Sequence, residues 1–171
     1  MYIKSRSRYI KESMMSEKSD GEVLQFQLRD FNTKKGNLKN LILNNIDTDK
    51  DISKNYKDIV EDNPFLSSYG NMLKLEASIK RKELRIKEFD KEVASLQNDL
   101  TLLNGMSDEE DRETQRENIE NRIKDKKEDS KKTEDSIKQT QEKIRLMEEG
   151  IKEFIKEKTD ELKEIQKNVI I

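Results

Sequence analysis

With 171 residues, 31% hydrophobic and 42% charged, the chain has too little apolar material for a wide core but enough for narrow helix–helix seams. Its 37 acids and 35 bases nearly cancel, which argues for solvated helix faces of mixed sign rather than a broadly basic nucleic-acid binder. It has no Cys and no His, which removes disulfides, thiolate nucleophiles, Zn–thiolate sites and the commonest base and metal ligand near neutral pH.

Residues 1–21 read as a basic, Ser-rich arm. Lys4, Arg6, Arg8 and Lys11 stand there with Tyr2 and Tyr9 among them, a composition suited to a phosphate or an acidic partner surface. The plainer reading is a terminal tail that orders only on a neighbour. The opening MYIKSRSRYIKESMM lacks the apolar stretch of a secretory signal, and no run approaches the ~20 residues that cross a bilayer. The expected location is cytoplasmic, or in a virion assembled within a host cytoplasm.

Residues 22–70 are expected to supply short helices that form a base. Leu24, Phe26 and Leu28 alternate as a strand would over 22–28, while Leu24, Leu28 and Phe31 fit a helical face, so periodicity leaves 22–31 open. A polar break follows at Asn32–Lys35 with Gly36, then Leu38, Leu41, Ile42 and Ile46 mark a short amphipathic helix. Asp47-Thr48-Asp49-Lys50-Asp51 resembles the start of a calcium loop. Ile52 stands where the loop needs Gly and Asp58 where it needs a bidentate Glu, so Asp47 or Asp49 is expected to cap a helix carrying Ile52, Tyr56, Ile59 and Val60. Asn63-Pro64 is a restart, with Asn63 as cap and Pro64 in the first turn, and Gly70-Asn71 could loosen a turn.

Residues 71–171 carry the strongest pattern. Met72, Leu75, Ile79, Lys82, Ile86, Phe89, Val93, Leu96, Leu100 and Leu103 alternate in steps of three and four, the seam of a coiled coil. Asn104-Gly105 is expected to stop this helix in the left-handed region, and Ser107 with Glu110 forms a capping box for the next. The second seam includes Ile119, Ile123, Lys126, Ser130, Thr133, Ile137, Thr140, Ile144, Met147, Ile151 and Phe154, with Gly150 a close-packing spot or a bend. The fold class is all-α: a long antiparallel helical hairpin with its turn at 104–107 and a thicker base from the N-terminal third and the C-terminal end, elongated in solution.

A tight turn would set Val93 against Ile119, Phe89 against Ile123, Leu75 against Ile137 and Lys82 against Ser130, with Tyr56 and Leu66 beside the far end of the second helix. That register leaves Leu96, Leu100, Leu102 and Leu103 facing a stretch without apolar residues, Asp108 to Asn118, with Met106 in the turn. Either these residues form an interaction surface, or residues 107 to about 116 are a loop and the register slides by a heptad. Function is then expected to be non-enzymatic, since nothing pairs a base with a nucleophile or cradles a phosphate. The leading expectation is a structural or adaptor protein that assembles with copies or docks on a larger assembly, such as a phage virion, scaffolding or secretion-machine component. The alternatives are a nucleic-acid-associated protein using the basic arm and a small inhibitor of a host protein. No cofactor, metal, membrane or small molecule is expected.

Overall fold

A computed structural model describes residues 20–48, 50–105 and 109–169, with side chains to residue 168. Every regular element among them is a helix: α1 (Asp20–Leu43), α2 (Ser53–Val60), α3 (Pro64–Leu103) and α4 (Glu109–Val169). The chain divides into two compact units. One takes the chain up to Lys74 and from Arg145 onward; the other is Leu75–Ile144.

In the first unit, α1 settles the ambiguity over residues 22–31 in favour of helix. Gly21, Leu24, Phe31, Leu38 and Ile42 are its buried residues, one face continued through the expected break. Gly36 costs about 0.5–1 kcal/mol relative to Ala within a helix. Burying Phe31 and Leu38 on either side returns roughly 1.5–3 kcal/mol each, so the break and the separate helix after it do not form. At Gly21 a Cβ would lie 2.9 Å from Ile165 Cγ2, so only glycine permits that contact with α4.

The capping expectations divide. Asp51, rather than Asp47, serves α2, its Oδ1 accepting the Ser53 amide at 2.9 Å; Asp49 lies outside the described residues. Asn63 caps α3 as its sequence suggests, Oδ1 accepting the amides of Phe65 at 3.1 Å and Leu66 at 3.2 Å. Its amide nitrogen donates to the Gln27 carbonyl at 2.9 Å and towards Asp30 Oδ2 at 3.4 Å, while Gln27 Nε2 donates to the Asp62 carbonyl at 3.0 Å. The start of α3 is thereby clamped to the middle of α1, and Asp62 takes a φ of 57° to turn the chain into the cap.

Phe65 and Leu66 enter the core directly behind this cap and are almost completely covered. Phe65 lies 5.0 Å from the Phe154 ring and 6.2 Å from Phe31, which meets Tyr69 edge-on at 5.7 Å. No turn loosens at Gly70; α3 runs through it, and the glycine is needed for contact. Tyr56 of α2, expected beside α4, packs on α3 there: a Cβ at Gly70 would lie 2.5 Å from Tyr56 Oη, and Lys74 Nζ sits 3.9 Å from the ring centroid. Gly150 reverses its expectation. It is exposed, with nothing within 4 Å of a Cβ placed there, and α4 passes through it unbroken.

In the second unit the contacts between α3 and α4 pair rising numbers with falling ones. Lys82 Nζ donates to Ser136 Oγ at 2.8 Å and Thr140 Oγ1 at 3.3 Å, Glu92 pairs with Lys126 at 2.8 Å, and Arg116 Nη2 donates to Asn104 Oδ1 at 3.3 Å. The two helices therefore run in opposite directions here. The register differs from the tight-turn expectation: Lys82 meets residues about a heptad further along α4 than Ser130. The cause is apolar demand. The slide buries Leu96 and Leu103, which the tight-turn register would leave against polar residues. It needs no loop over 109–116, since α4 is already helical from Glu109. The end of α3 also differs from expectation. Asn104 N and Gly105 N donate to the carbonyls of Thr101 and Leu102 at 3.3 and 3.2 Å, and no described glycine has a positive φ, so a tightened last turn replaces the left-handed stop.

Candidate interaction site

The interaction surface expected at Leu96–Met106 is dispersed by that register. Leu96 and Leu103 are buried within the chain and Leu100 is half-buried, so they act as seam residues. Leu102 alone remains open, 67% exposed, and Met106 lies outside the described residues. Lys4, Arg6, Arg8 and Lys11 of the arm also lie outside them, as does Ser107 of the capping box. Sequence periodicity found the leucine stripe but not its fate, because every heptad step keeps the stripe on the seam.

The interior of the Leu75–Ile144 seam is polar at one height. Thr140 is 7% exposed, its hydroxyl donating to the Ser136 carbonyl at 2.9 Å and accepting from Lys82. Ile79 and Ile137 are buried. A half-buried lysine held by two hydroxyls interrupts an otherwise apolar seam, and such layers restrict which partners and offsets a seam accepts. Nearer the turn, Phe89 is half-buried, with Lys126 Nζ 5.6 Å and the Arg85 guanidinium 5.9 Å from its ring centroid. The Lys126 ammonium thus lies over the aromatic and pairs with Glu92 at the same time.

The outer faces are charged. Other large apolar side chains standing open are Leu84 in this unit and Val23, Phe26 and Leu146 in the other. The first unit also has a shallow groove of about 350 Å³ lined by Pro64, Ser68, Met147, Gly150, Ile151 and Phe154. Two titratable groups depart from their ordinary values. Asp51 is held below the usual carboxylate range by its hydrogen bonds to the Ser53 hydroxyl and amide. Lys158 is held above the usual lysine range by its hydrogen bond to Glu161 and that group's charge, then by Glu157. Asp51 stands just before α2 and Lys158 lies in α4, and neither lines the groove described above. Among the described residues no cluster of three or more Asp or Glu side chains converges as a metal site would require. No described helix is long and apolar enough to cross a membrane.

No family model, curated protein or solved structure matches the chain. The geometry itself must carry any functional reading.

Proposed function

We propose that the chain is a non-enzymatic structural or adaptor protein in which α3 and α4 form an antiparallel coiled-coil hairpin that assembles with copies of itself or docks on a larger assembly, such as a virion, scaffolding or secretion-machine component. The observation that carries this reading is the Leu75–Ile144 seam. Its apolar stripe is consumed by α3–α4 contact, with Leu96, Leu103, Ile123 and Ile137 buried, while the outward positions are charged along both helices. The grooves described on it, such as the one beside Ile123, are shallow and open, a poor setting in which to hold and desolvate a reactant. What it offers is outer helix surface, with Leu102 as an apolar contact near the turn.

Mass in solution tests the reading. Light scattering and sedimentation across concentration and ionic strength are expected to show reversible association of the helical chain. A strict monomer at every concentration and salt would remove the self-assembly reading. Conversion of a small-molecule substrate by the purified chain would remove the non-enzymatic one.

A further inference from the structure

Within the Leu75–Ile144 unit, one face of α4 changes sign half-way along. Glu113, Glu117 and Glu120 are followed by Lys124, Lys127 and Lys131, all exposed. The steps between them run four, three, four, three, four, so the set reads the same from either end. With 3.6 residues per turn, the six lie within about 80° of the helix circumference. The lysine half borders a shallow groove of about 380 Å³ whose floor includes the buried Ile123, so the lysine stems offer apolar surface beneath their charges. Within the acid half, the exposed Glu113 pairs with Arg116 at 3.7 Å, a contact weak enough to be exchanged.

A face that is acidic in its first half and basic in its second, with palindromic spacing, is complementary to itself when turned end for end. A two-fold axis at the height of residue 122 sets Glu120 against Lys124, Glu117 against Lys127 and Glu113 against Lys131, each pair occurring twice. A parallel, in-register neighbour would meet like with like. A polyanion would be attracted by the lysines but repelled by the glutamates beside them. The match is also bounded: beyond the six residues, Glu109 would face Asp135. We propose that this face of α4 receives a second copy of the chain, antiparallel, about an axis at the height of residue 122. The proposal rests on the self-assembly reading and adds the surface and the orientation.

The test uses the full chain. Sedimentation at low salt is expected to show a dimer that dissociates near 1 M salt, where the screening length falls to about 3 Å. The triple variant Lys124→Glu, Lys127→Glu, Lys131→Glu and its complement Glu113→Lys, Glu117→Lys, Glu120→Lys are each expected to be monomeric with native helix content, and to form a heterodimer when mixed. Because the chain has no cysteine, orientation can be read by single substitutions. Glu113→Cys is expected to form a disulfide with a Lys131→Cys copy and not with itself. Association unchanged by either triple reversal would overturn the proposed face while leaving self-assembly intact. A native chain that never associates would remove both. Ready self-crosslinking of Glu113→Cys would overturn the antiparallel orientation.

Discussion

The two units spend a scarce apolar supply in different ways. Around Phe65, residues from α1, α3 and α4 converge, so one aromatic side chain meets Phe31 and Phe154, and Leu38, Leu66 and Leu73 are almost completely covered. Between Leu75 and Ile144 the contacts connect α3 and α4 alone, many apolar residues remain half-exposed, and the seam contains Lys82 and Thr140. A third helix allows a core to be built from the same few hydrophobic residues per turn. Without it, two helices share a line of contacts, and polar residues can enter that line at modest cost.

The largest expected effect is truncation of the three-helix core. Phe65→Ala should cost about 4 kcal/mol in denaturant unfolding, against about 2 kcal/mol for Ile137→Ala in the seam. Equal losses would mean that the seam is packed as tightly as the core. Next comes a contrast near the turn. Leu103→Lys places a charge at a buried position and should cost roughly 3 kcal/mol, whereas Leu102→Lys, at an exposed one, should stay within about 0.5 kcal/mol. If the two substitutions were equally mild, the observed register would be wrong.

Lys82→Leu should act in the opposite direction. It replaces a half-buried amine of the seam with an apolar side chain, while Thr140 keeps its bond to the Ser136 carbonyl, for a gain of about 1 kcal/mol. A loss of stability would show that the hydroxyl-held lysine contributes more than its register role. The smallest effect is one of pH. Because the folded state depresses the Asp51 pKa, its contribution is complete above the ordinary carboxylate range and disappears as pH falls through and below that range. Asp51→Asn should flatten the corresponding part of the acid limb in a pH series of thermal melts. An unchanged acid limb would show that the Ser53 contact contributes nothing to folding.

What was legible in the sequence was local or periodic. Asn63-Pro64 announces its cap because the chemistry lies within three residues. The seam from Met72 to Leu103 announces a helix because its period is unbroken. The offset between α3 and α4 was not legible, since a heptad repeat looks the same after each seven-residue step and the decision falls to the burial of Leu96 and Leu103. The continuity of α1 was hidden for a related reason. Gly36 and its polar neighbours disfavour helix locally, and only the contacts made by Phe31 and Leu38 outweigh them. The candidate surface near the turn was read from an offset that does not occur, so of its leucines Leu102 alone stayed fully open.

The double role of Asn63 has a chemical consequence. Aspartate and asparagine cap isolated helices about equally well, because the helix sees only an oxygen. Here the other half of the side chain addresses α1, donating to the Gln27 carbonyl and towards the Asp30 carboxylate. An aspartate at this position would satisfy the helix and confront two acceptors with a third. Isosteric replacement thus separates the intrahelical contact from the interhelical one, and Asn63→Asp should loosen α1 while leaving the first turn of α3 hydrogen-bonded. The amide makes a routine cap into a junction that recognises only one neighbour.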